Sequence, residues 1–93
     1  MALSVTAVRF TPAAPDDVAS GLIGYVRVTL NGRLLVDGVT VRRSKAGNVG
    51  ISYPTRRDRE GQRHALLRPL GCGTRAELDA QILAALRRGE HLP

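Results

Sequence analysis

The sequence holds one cysteine, one lysine, no tryptophan and only three aromatic residues, Phe10, Tyr25 and Tyr53. A single cysteine excludes an internal disulfide framework and any metal site built from four thiolates. It suits a reducing compartment. No uninterrupted apolar run approaches the ~20 residues of a membrane helix, and "MALSVTAVRF" has neither the basic start nor the long apolar segment of a secretory signal. The expectation is a soluble, cytoplasmic protein that does not engage membranes. Scarce aromatics weigh against a platform on which successive bases stack. The sequence also lacks a glycine-rich phosphate loop with a lysine, an obvious pair of catalytic carboxylates, and a His/Cys/Asp set at zinc spacing. No enzyme, no cofactor, no metal and no small-molecule substrate are expected.

One residue invites a catalytic reading. Cys72 lies between two glycines ahead of a predicted helix, where a thiol pKa can fall. A nucleophile needs a base, and the only imidazoles are His64 and His91. His91 sits in a tail expected to fray, and nothing in the sequence brings His64 to Cys72. A small residue fitted to a tight turn accounts for the position.

What the chain does have is positive charge, and in one place. The net charge is +6. Residues 42–75 carry nine basic and two acidic residues, a net of +7, whereas the remainder carries five basic and six acidic ones, a net of −1. A localised basic field attracts polyanions. Thirteen of the fourteen basic residues are arginine, whose planar fork grips phosphate and stacks on bases; a GC-rich coding sequence produces the same bias. The length of 93 residues is that of a single domain, residues 1–93. A chain so short buries only roughly 60–65% of its extended surface, and dimerisation is an ordinary remedy.

The pattern predicts a strand over 4–10 and an irregular loop over 11–21. A second strand follows over 22–30, with Leu22, Val26, Val28 and Leu30 on one face and Gly24 leaving a gap among them. Asn31-Gly32 between apolar runs signals a tight hairpin. The returning strand changes phase at Asp37-Gly38, as a bulge requires. "SKAGN" (44–48) is a turn, 49–53 a strand halted by Pro54, and 63–68 a fifth strand closed by Pro69. Thr74 and Glu77 make a capping box for a helix ended by Gly89, with Leu78, Ile82, Ala85 and Leu86 in one apolar stripe. The fold class is α+β: four to five mostly antiparallel strands with one C-terminal helix laid on a face.

These strings resemble the SpoVG family, the stage V sporulation protein G or septation regulators of bacteria. The likeness lies in "VTAVRF", "GYVRVTLNGRLLVDGVTV", "GNVGISYPTRRDREGQRHALLRP" and "TRAELDAQIL", and it covers nearly the whole chain. It implies a dimer formed through the sheet that binds DNA, and in some members RNA, as a regulator of gene expression. Departures from the family's usual look include Tyr53 where a Met commonly stands, Arg68 where a His does, and a longer first loop.

The candidate nucleic-acid contacts are Arg56, Arg57, Arg59 and Arg63 on the arginine-rich connection and Arg75 at the start of the helix. Arg42, Arg43 and Lys45 flank them. With strands 49–53 and 63–68 paired, the connection projects Arg56, Arg57 and Arg59 from its tip into water, with Asp58 and Glu60 relieving part of their repulsion. Arg75 lies where free helical N–H groups favour an anion. Tyr53 is the one aromatic placed to stack on a base, with packing in the core as the alternative. Gln62 and Asn48 are available for base edges. The rival reading is a non-enzymatic interaction module whose basic face docks an acidic protein.

Overall fold

Nine residues of alternating character, "LIGYVRVTL", make β2 (Leu22–Leu30), the strand around which the others assemble. The computed structural model describes residues 3–89 and 91. Around β2 are β1 (Val5–Pro12), α1 (Pro15–Ala19), β3 (Leu34–Arg43), β4 (Val49–Ser52), β5 (Thr55–Arg57), β6 (Arg63–Ala65) and α2 (Cys72–Arg88). Strands β1 to β4 form one antiparallel sheet in sequence order, and β5 and β6 form a separate two-stranded ribbon. Among the described residues no helix is long and apolar enough to cross a membrane.

Asn31 and Gly32 both lie at positive φ, 52° and 65°, and the Arg33 N–H closes the turn on the Leu30 carbonyl at 3.0 Å. This is the backbone that the Asn-Gly pair is suited to adopt. Val28 pairs with Val36 but Val26 with Val39, so Asp37 and Gly38 form the bulge that the phase change foretold. Gly38 takes φ 82°, and its N–H donates to the Asp37 carboxylate at 2.9 Å. The extra residue returns Val39 and Val41 to the face they share with Val26 and Val28.

That face is the core. Val26, Val28, Leu30, Val39, Val41 and Ile51 from the sheet meet Leu78, Ile82 and Leu86 from α2. The gap at Gly24 is filled: a Cβ there would lie 2.6 Å from the Phe10 ring. Phe10 in turn stacks on His91, with ring centroids 4.8 Å apart, and the His91 N–H donates to the Leu86 carbonyl at 3.0 Å. The expected fraying at His91 is therefore corrected; its ring is docked on β1.

Two other expectations are corrected. The segment 11–21 contains α1, with Pro15 opening it and Asp16 and Asp17 in its first turn, where Pro's fixed φ and the helix dipole favour them. The capping box does not form. Helix α2 starts after Gly71, with no side-chain cap, and the Arg75 N–H already bonds the Gly71 carbonyl. Thr74 thus lies inside the helix, whereas a capping residue must precede it.

Side chains of α2 also tend the sheet edges. Gln81 accepts the Val5 N–H at 2.8 Å and donates to the Leu3 carbonyl at 3.0 Å, satisfying β1 where no further strand pairs. Ile82, fully buried between the helix and the sheet, is the test of this packing. Ile82→Ala is expected to destabilise the protein by ~2–5 kcal/mol, read as a lower urea midpoint at unchanged slope by far-ultraviolet circular dichroism.

Candidate nucleic-acid interface

Pro54 cannot extend the β4 ladder, and the chain leaves the main sheet there. Strand β4 pairs with β3 alone, and 55–57 pairs with 63–65. The expected pairing of 49–53 with 63–68 is corrected. The Leu66 N–H donates to the Pro54 carbonyl at 3.0 Å and closes the base of the ribbon. Of the apolar run after it, Leu67 lines a small cleft with Tyr53 and Ile82, while Leu66 stays 64% exposed. The run resembled a core strand because it is apolar, yet only one residue of it turns inward.

The ribbon sorts its arginines by strand alternation. Thr55 and Arg57 stand opposite Ala65 and Arg63 on one face, and Arg56 stands opposite His64 on the other. The tip is held by Asp58, not left loose. Its carboxylate accepts the N–H groups of Glu60 and Gln62 at 3.0 and 2.9 Å and meets His64 Nε2 at 2.7 Å. Asp58 therefore shapes the turn through the backbone and His64; among the described residues no arginine lies within 4.0 Å of it.

An open groove of about 900 Å³ runs between the ribbon and the uncovered face of β3 and β4. Thr40, Arg42 and Ser52 form its floor, and Thr55, Arg63 and Arg68 its wall, with Arg75 beside them. Asp37 is the only acidic residue in the lining. Among the described residues, neither Arg42, Arg63 nor Arg68 has a carboxylate within 4.0 Å.

The structure thus brings together Arg42, Arg63 and Arg75 of the expected set. Arg57 shares the ribbon face of Arg63. It sets Arg56 on the reverse face and Arg59 at the exposed tip. Arg43 and Lys45 line a different, shallow groove with Val18 and Ser20. Arg68 was counted in the basic segment but not among the contacts; its residue type was the signal, and its place on the groove wall had none in the sequence.

Arg75 has another partner than the sequence implied, and Tyr53 takes the core position that was the alternative to stacking. The Arg75 guanidinium reaches the β4 edge, 3.4 Å from the Ile51 carbonyl, and lies 3.7 Å from Asp79. The helix start is not where it points. The Tyr53 hydroxyl donates to Asp79 at 2.5 Å, and its ring packs against the core. Burial, then the bond and the charge of Asp79, push the phenol above the ordinary tyrosine range. Tyr53 therefore fastens α2 to the end of β4.

Asp58 supplies a pH test. The bond to His64, then the Gln62 N–H, hold its carboxyl below the ordinary 3.8. A depressed carboxylate stabilises its surroundings fully above its ordinary value and loses that effect as pH falls through the lower, folded-state value. Nuclear magnetic resonance of the Glu60 and Gln62 amides is expected to show a step below pH 3.8, abolished by Asp58→Asn. A midpoint at or above the ordinary value contradicts the assignment.

The sequence profile of SpoVG matches residues 3–88. Comparison with curated proteins gives no match. The matched span takes in every strand and α2 through Arg88, and the chain belongs to the SpoVG family.

Proposed function

We propose that this protein is a cytoplasmic nucleic-acid-binding regulator of gene expression, not a catalyst, and that it holds phosphates along the arginine groove. One observation carries the reading. Arg42, Arg63, Arg68 and Arg75 line one open groove whose lining holds a single carboxylate, and of the four only Arg75 is paired, with Asp79 outside the lining. Folding arginines together raises their mutual repulsion, and phosphates between them remove it. Arginine suits the task because its fork bonds two phosphate oxygens at once. The family likeness, which implies DNA and in some members RNA, supports the same reading. Arg57 extends the groove along the ribbon, whereas Arg56, Arg59, Arg43 and Lys45 supply the wider field that steers a polyanion inward.

The reading includes a homodimer. Leu34, Leu35 and Leu70 are each more than 60% exposed, and an isolated two-stranded ribbon is marginal in water. A second copy covering such surface accounts for both. Light scattering at micromolar concentration is expected to give twice the monomer mass, and a monomer there contradicts the dimer.

The groove itself is tested by salt. Arg63→Ala with Arg68→Ala is expected to weaken binding to every sequence. The log–log salt slope should fall by about 0.9 per lost contact on duplex DNA and about 0.7 on single strands. Gel-shift titrations across several salt concentrations measure this, and an unchanged slope removes the groove from the interface. If the wild-type protein retains no nucleic acid at low salt, judged by absorbance at 260 and 280 nm, the acidic-protein partner takes its place.

A further inference from the structure

Helix α2 covers one face of the sheet, and the opposite face carries a tyrosine that the core does not use. Tyr25, in the middle of β2, is 45% exposed. Its cross-strand neighbours are Thr11 and Thr40, side chains too short to cover an aromatic ring. Two residues along, Arg27 stands directly opposite Arg9. Like charges facing each other across strands are destabilising, and Asp37, 3.4 Å from Arg27, offsets one of the two. That ion pair is exposed on both sides and therefore weak.

Tyr25, Arg9 and Arg27 line a second groove of about 440 Å³. It shares Asp37 and Gly38 with the arginine groove. The two therefore adjoin at the bulge and together make a trough in two parts, from the ribbon to β1. Facing arginines occur on both elements: Arg9 with Arg27 on the sheet, and Arg57 with Arg63 on the ribbon.

We propose that this trough takes single-stranded nucleic acid, with one base stacked on Tyr25 and the neighbouring phosphate lying between Arg9 and Arg27. The proposal rests on the nucleic-acid reading above and narrows it to the unpaired form. A duplex encloses its base faces and offers an open sheet only backbone and groove edges. A single strand presents both a base face for the ring and a phosphate for the arginines. Beyond the bulge, the adjoining groove offers Arg42 and Arg63 to the remaining phosphates.

The test uses fluorescence anisotropy with labelled single-stranded DNA, single-stranded RNA and the matching duplexes, at low salt, on the full chain. Single strands are expected to bind more tightly than duplexes. Tyr25→Ala should weaken single-strand binding roughly 5- to 100-fold, leave the salt slope unchanged because no phosphate contact is lost, and leave duplex binding unaltered. Tyr25→Phe, which keeps the ring, should bind like the wild type. Tyr25→Trp gives the protein a single indole, whose emission should be quenched by single strands. This readout still decides the matter if Tyr25→Ala does not fold. Tighter binding of either single strand than of its matching duplex supports the proposal, the tighter single-strand arm names the sugar, and duplexes binding as tightly as single strands overturn it.

Unchanged single-strand affinity in a folded Tyr25→Ala, or no quenching of the indole, overturns the proposal. If Arg63→Ala with Arg68→Ala still weakens binding in that case, the groove reading stands and only the stack on Tyr25 falls. Loss of self-association in Tyr25→Ala assigns the face to a second copy and also overturns it. A wild-type protein that binds no nucleic acid removes both readings.

Discussion

The packing of one helix on one side of one sheet governs everything else in this protein. Leu78, Ile82 and Leu86 close over Val26, Val28, Val39, Val41 and Ile51, and this is the only extensive apolar contact the described residues make. Among the described residues there is no second long helix to cover the other face. That face, and the ribbon that leaves it at Pro54, therefore remain in water. The arginines collect there because it is where charge can stay hydrated.

The same constraint explains how the charged surface keeps its shape. Each part is tied to the core by a contact that uses no arginine of the groove wall. Leu67 and Tyr53 line a common cleft beside Ile82, and Tyr53 binds Asp79 of α2. Asp58 organises the ribbon tip through backbone N–H groups and His64. The bulge at Asp37-Gly38 brings a Cβ-free backbone to within van der Waals reach of Pro54; an added Cβ would lie 3.2 Å from it. Arg42, Arg63 and Arg68 are consequently free to meet a ligand without giving up a structural bond.

Much of the fold was legible because it depends on short-range rules. Alternation over 22–30 named the buried face of β2 residue by residue, and Asn31-Gly32 and Asp37-Gly38 each announced a local backbone conformation that the structure adopts. The errors arose where two local signals competed or a distant partner decided. Thr74 and Glu77 had capping-box spacing, yet Gly71 starts the helix three residues before Thr74. The apolar run after His64 had the composition of a strand, yet Pro54 had already turned its partner away from the sheet. The short helix at 15–19 was masked by the prolines and acids that in fact begin it.

The residue types of the site and its place in the middle of the chain were fixed by the order of amino acids alone, since charge and hydrogen-bonding capacity belong to each side chain wherever it lies. So was the alternation that puts Tyr25 and Arg27 on the outer side of β2. Which arginines meet was decided only by the tertiary structure. Strand registry placed Arg57 with Arg63 and turned Arg56 away, and it set Arg9 against Arg27. The helix drew Arg75 to the edge of β4. The reason is geometric: one residue of registry moves a side chain to the opposite face, and that registry is settled by contacts between segments far apart in the sequence.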